Sequence, residues 1–235
     1  MAHLTANLSD QFVQILVSSE LKEFSVHKTL IRSTRGFFDK GFDGRLKEVI
    51  ESKMFLPEDD PDTFEIFVNW MYAGNLRHDL YPMQIINVWI FAQKYLCQKL
   101  KNNAMDALQD ALYLPCEYSL PLNYVEVARI FDNTTDIRDC LRHFAAVLLA
   151  WEIRNGNPYN IEYLEKILRG VGDSLENVLM FLRHNKDVFD PRIRGGAISR
   201  CTFHDHTGDS QLCNSALTIA ETATTSSSTP GYYSS

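Results

Sequence analysis

Cysteine and histidine crowd together late in the 235-residue chain, as Cys201-Thr-Phe-His204-Asp-His206 followed by Cys213. Two of its five cysteines and two of its seven histidines fall in that stretch. Thiolate sulfur and imidazole nitrogen are the ligands that tetrahedral Zn²⁺ prefers, and a Cys-x2-His start has a spacing that a flexible loop can close. His-x-His is tight for two ligands on one ion unless the backbone there is extended, and the remainder matches no standard finger. Two readings stand for Cys201, His204, His206 and Cys213: a structural zinc knuckle, or incidental side chains of a mobile tail. No other cofactor is implied.

Motifs for other chemistry are missing. There is no Walker-type glycine loop, no His-Glu-x-x-His and no Gly-x-Ser-x-Gly elbow. Gly170-Val-Gly172 follows a helical stretch, where a phosphate cradle should follow a strand, and so reads as a helix cap and turn. His27 has no nucleophile motif beside it and reads as a buried, hydrogen-bonded residue rather than a base. The expectation is a protein that is not an enzyme.

The formal charge of −7 argues against a sequence-independent nucleic-acid binder, which needs cations to displace counterions from phosphates. Arg192 and Arg194 would offer only two cations in a flexible segment. Hydrophobic residues at 45% and charged residues at 23% are ordinary for a globular chain with a proper core. The first residues have no charged n-region or apolar h-region, so no secretory signal is expected. The longest apolar run, Phe144 to Trp151, falls well short of the roughly 20 residues that span a bilayer. An odd number of scattered cysteines then favours reduced thiols and an intracellular chain, in cytoplasm, nucleus or both.

The elements come next. Phe12-Val-Gln-Ile-Leu-Val17 is short, apolar and β-branched, and predicts a strand; Phe24-Ser-Val26 resumes the alternation after a polar turn, which makes a hairpin. From Lys28 to Phe42 the apolar spacing suits one or two short helices. Met54 to Leu56 reads as a brief strand. Asp60-Pro61 then looks like a helix start, with Asp at the N-cap, Pro at N1 and Gly74 as the stop. Helices are expected over 81–96, with Ile85, Val88, Trp89 and Ala92 inward, and over 100–112. Others follow over 122–131, 137–153, 161–168 and 174–184, the last with Leu175, Val178, Leu179 and Leu182 at helical spacing. Residues 222–235 are Ser/Thr-rich and should be disordered. Few strands clustered at the front, followed by helices, make the class α+β.

Several strings in order resemble the BTB/POZ family. Phe24-Ser-Val-His-Lys28, Leu30, Ser33 and Phe37-Phe38 look like its second strand and first helices. Met54-Phe-Leu-Pro-Glu-Asp-Asp-Pro-Asp-Thr-Phe64 and Trp70-Met-Tyr-Ala-Gly74 look like its third strand and following helix, in wording close to short fungal BTB proteins. The resemblance implies a BTB/POZ domain near 8–115, with a helical extension over 116–189 and a largely disordered tail over 190–235. It also implies a protein–protein interaction module rather than a catalyst.

Further expectations follow from that resemblance. Members often dimerise through the face built by their first helices, here Lys28 to Phe42, although few residues precede Phe12 for a strand-swapped dimer. Family members usually join an acidic residue before the first strand to the basic residue after the His, which makes Asp10 and Lys28 a candidate charged pocket. Some members bridge substrates to the cullin scaffold of ubiquitin ligases through a hydrophobic-x-Glu motif, and Leu46-Lys47-Glu48 stands at that position. Leu46 and Glu48 are read either as that partner contact or as a solvated helix end with one core leucine. A nuclear co-regulator that uses the Cys/His tail is a third reading. Protein partners, itself or a cullin among them, are expected; a membrane is not, and nucleic acid is disfavoured.

Overall fold

The computed structural model describes residues 11–42, 52–113, 121–136, 138–156, 160–193 and 201–206. A three-stranded sheet in the order β2-β1-β3 opens the fold. Strand β1 (Phe12–Val17) pairs antiparallel with β2 (Lys22–His27), Val13 opposite Val26 and Ile15 opposite Phe24. The turn between them uses positive φ at Ser18 and Leu21, which stand in for the glycine the sequence lacks there. Strand β3 (Lys53–Leu56) pairs parallel with β1, Ile15 opposite Met54 and Val17 opposite Leu56. Alternation sends Val13, Ile15, Val17, Val26, Met54 and Leu56 to one buried face, so this register is set by burial.

A parallel pair requires a crossover, and α1 (Lys28–Ser33) and α2 (Gly36–Gly41) lie within it. Ser33 and Thr34 donate their hydroxyls to Leu30 O and Ile31 O and finish α1. Arg35 and Gly36 then both take positive φ, turning the chain sharply into α2.

Helix α3 (Pro61–Ala73) has the ends the sequence foretells. The Asp60 side chain accepts from Thr63 N at 2.9 Å and from the Thr63 hydroxyl at 2.7 Å, and Gly74 closes the helix in the left-handed conformation. Helices α4 (Pro82–Lys94) and α5 (Gln98–Tyr113) pack on each other, and Ile85, Val88, Trp89 and Ala92 all face the core. Phe38, Phe64, Phe67 and Phe91 form an aromatic cluster with centroids 5.1–6.3 Å apart.

Helix α6 (Tyr124–Asn133) lies against α4, with Arg129 donating to Asn87 at 2.9 Å. It begins in a capping box: Asn123 accepts from Val125 N and Glu126 N, and Glu126 accepts from Asn123 N. Helix α7 (Cys140–Asn155) is buried along nearly all of Leu141 to Ala150, which explains its continuous apolar run. Helices α8 (Ile161–Gly170) and α9 (Ser174–His184) pack against it. No helix of the described residues is long and apolar enough to cross a membrane.

The four residues at helical spacing on α9 divide, with Val178 buried and Leu182 half-buried against the core. Leu175 and Leu179 are 43% and 56% exposed, whereas Asn177, Val178 and Phe181 face α7. Two apolar stripes overlap on this helix, and the one carrying the large aromatic ring is the one that docks. Residues assigned from sequence to the tail also meet the body. Gln109 donates to Pro191 O at 2.6 Å, and Phe203 is 1% exposed. Buried side chains from Val13 to Phe203 belong to one hydrophobic cluster.

Candidate interaction surface

The α1–α2 segment divides its aromatics. Phe38 and Phe42 are buried in the core, while Phe37, just before Phe38 in sequence, is 43% exposed. Phe37 N–H donates to Tyr95 O at 3.2 Å, and its ring stands 5.1 Å from the Tyr95 ring. Leu96 follows in left-handed conformation with φ 57° and is 67% exposed. Gly36 fits because it has no side chain: a Cβ there would come 2.7 Å from Tyr95 O and 3.1 Å from Leu96 Cβ. Phe37 and Leu96 therefore present a shared apolar patch where α2 meets the end of α4. A neighbouring pair, Arg32 and Asp39 at 2.9 Å, joins α1 to α2 beside it.

That patch is held from beneath by charge. Asp59 accepts from the Tyr95 hydroxyl at 2.5 Å and from Lys94 Nζ at 3.0 Å, tying the β3–α3 loop to the end of α4. Burial and then the Asp59 hydrogen bond raise the Tyr95 phenol well above its ordinary value. The two adjacent carboxylates thus do different work: Asp60 caps α3 and Asp59 positions Tyr95. Burial pushes Asp60 upward, but hydrogen bonds from Thr63 outweigh it and hold the carboxyl below its usual range.

The remaining sequence candidates are distributed as follows. Leu46, Glu48, Asp10 and Cys213 lie outside the described residues, as does the Ser/Thr-rich stretch 222–235. Lys28 donates its backbone N–H to Gln11 O at 2.9 Å, which brings it beside the residue that follows Asp10. His27 is half-buried rather than buried, with Nδ1 2.7 Å from the Tyr72 hydroxyl and its ring 4.3 Å from Phe12. Cys201, His204 and His206 come together, with one ligand atom from each within 4.8 Å of the others. Arg192 is engaged with Asp190 at 2.8 Å and stacks 4.6 Å over Trp151, so it is not a loose cation. Burial raises the thiol of Cys97 to about 11 and also raises that of Cys140, which opposes thiolate chemistry at both.

Three participants escaped sequence reasoning. Leu96 is one, because its exposure follows from a backbone turn and not from its residue type. Asp59 is another, since nothing local separates it from its neighbour Asp60. Arg142 is the third: inside the apolar run of α7 it donates to Phe131 O at 3.2 Å, to Thr134 O and to Asp173.

The His27–Tyr72 contact joins two of the strings that resemble one family, 45 residues apart in sequence. A family model of the BTB/POZ domain matches residues 5–112. The chain carries a BTB/POZ domain. Its three-stranded sheet and helical cluster, followed by further helices, are the mixed α+β form expected from the resemblance. A BTB/POZ domain is in general a protein–protein interaction module and not a catalytic one. No curated protein matches the chain.

Proposed function

We propose that the BTB/POZ domain self-associates through its α1–α2 face and that the resulting assembly recruits other proteins. The observation that carries this reading is the pair of exposed apolar side chains, Phe37 and Leu96, held on a rigid base. Exposed aromatic and aliphatic side chains on a fixed backbone are the kind of anchor that dominates small interfaces. A second copy presents the same patch, so an isologous two-fold contact satisfies both at once. The family's habit of association supports the choice of occupant.

Co-precipitation of two differently tagged copies of the full chain tests the reading. Wild-type copies should recover each other, and Phe37→Asp with Leu96→Asp should abolish recovery while leaving the circular dichroism spectrum unchanged. Equal recovery by the double variant would place association elsewhere.

A second reading rests on Leu46 and Glu48, which stand between α2 and β3 in the order of the chain. In it the domain is an adaptor for a cullin scaffold, with Leu46 as an apolar anchor and Glu48 as its charged neighbour. Retention of the full chain on an immobilised cullin N-terminal region, lost in Leu46→Ala/Glu48→Ala, supports this role. No retention of wild type removes it.

A further inference from the structure

Residues 201–206 are held against the body by alternate side chains. Phe203 is buried, 5.7 Å from the His143 ring and edge-on to Phe144 at 5.2 Å. Asp205 is gripped three ways by α5. Its carbonyl accepts from Gln98 at 2.7 Å and from Asn102 at 3.1 Å, its N–H donates to Asn102 Oδ1 at 3.0 Å, and its carboxylate pairs with Lys101 at 2.9 Å. With Phe203 and Asp205 committed to the body, the side chains of Cys201, His204 and His206 are left close to one another. Cys201, His204 and His206 bring a sulfur and two imidazole nitrogens within 4.8 Å of one another. His204 N–H donates to Cys201 O at 3.0 Å and closes a turn between the first two. The backbone from His204 to His206 is neither helix nor regular strand, which lets two histidines one residue apart reach a common point.

We infer that Cys201, His204 and His206 form a zinc site that fixes the turn of this segment where it lies on α5. One thiolate and two neutral imidazoles are a donor set suited to Zn²⁺. Around one tetrahedral zinc such ligand atoms stand about 3.3–3.6 Å apart, so the cluster needs only a small side-chain contraction. Asp106 supplies the outer carboxylate that orients a metal-bound imidazole: its Oδ1 lies 3.3 Å from His204 Nε2, which leaves Nδ1 for the ion. On binding, the Cys201 thiol releases its proton to solvent and both imidazoles remain neutral. Water completes the coordination, and the site does not depend on Cys213. The consequence is structural: an ion at this point locks the turn from Cys201 to His206 and, by orienting His204, holds its hydrogen bond to Asp106 of α5 in place.

The test uses the full chain, stripped with a chelator and reloaded with Zn²⁺ or Co²⁺. About one zinc per chain should be retained after desalting. The cobalt form should show a thiolate-to-metal charge-transfer band together with the intense visible bands of a tetrahedral ion. Cys201→Ser should lose the charge-transfer band, His206→Ala should weaken zinc binding about tenfold or more, and Cys140→Ser should change neither. Circular dichroism checks that each variant retains its helices, and the wild-type cobalt spectrum stands independently of them. Less than about a tenth of an equivalent of zinc in wild type overturns the site. So does a cobalt spectrum without a thiolate band, or one lost in Cys140→Ser and kept in Cys201→Ser.

Discussion

Phe37 and Tyr95 meet through both backbone and ring, an N–H to carbonyl hydrogen bond of 3.2 Å and centroids 5.1 Å apart. The hydrogen bond joins the first turn of α2 to the residue just after α4. It fixes how far Phe37 stands from the core, and so decides that this phenylalanine faces outward while Phe38 faces in.

Gly36 makes that approach feasible, so Gly36→Ala should be costly. Its φ of +65° already disfavours any side chain, and the new Cβ would meet the Tyr95 carbonyl at 2.7 Å. A loss of about 1–3 kcal/mol is expected in urea unfolding. A variant as stable as wild type would mean that α2 and the end of α4 separate more easily than this packing allows.

Tyr95→Phe keeps the ring and removes the hydroxyl that donates to Asp59. A hydrogen bond to a charged acceptor contributes about 1.5–3 kcal/mol, and Lys94 remains to partner the carboxylate, so a loss at the lower end is expected. The pH dependence has a definite sign. The phenol is raised in the folded state, so its contribution is complete below the unfolded value of about 10 and is lost as pH rises past it. Wild-type stability should therefore fall more steeply than that of Tyr95→Phe on the alkaline side. Parallel alkaline limbs would refute the assignment.

Asp60→Ala should cost about 1 kcal/mol, the usual loss for an N-cap. Here the folded carboxyl is depressed, so its contribution is present above the unfolded value of about 3.9 and disappears as pH falls through the folded value. Denaturation at neutral pH and in strong acid distinguishes the two regimes. The gap between variant and wild type should close in acid, and a gap that widens would contradict the cap.

Arg142→Ala should be the most damaging change in the extension. The guanidinium is 3% exposed, stacks 4.4 Å over the Phe131 ring and satisfies carbonyls of Phe131 and Thr134. Its removal leaves those acceptors buried without a donor, and about 3 kcal/mol should be lost. Asp173 is half exposed and can turn to water, which keeps the cost from rising further. Thermal unfolding measures it, and a shift within error would mean that water replaces the guanidinium.

Much of this arrangement is legible in the residues themselves, because it is local. The β-branched run of β1 and the Asp60-Pro61 start and Gly74 stop of α3 depend on neighbours within a few positions. Choices made over long range are not legible. On α9, Leu175 and Leu179 have the spacing of a core face, yet the ring of Phe181 settles against α7 and turns them outward. In Glu58-Asp59-Asp60 no local feature tells which carboxylate will find Tyr95, since that partner is 36 residues away. The spacing of Cys201, His204 and His206 suggested an ion, but the grip of Gln98 and Asn102 on Asp205 spans 107 and 103 positions. Exposure of Phe37 and Leu96 is likewise a property of the assembled surface.

Light scattering coupled to size-exclusion chromatography of the full chain tests the self-association face most directly. Wild type should elute with twice the mass of one chain, and Phe37→Asp/Leu96→Asp with the mass of one. A wild-type monomer at every concentration, or a double variant that stays dimeric, would show that copies do not meet through these two side chains.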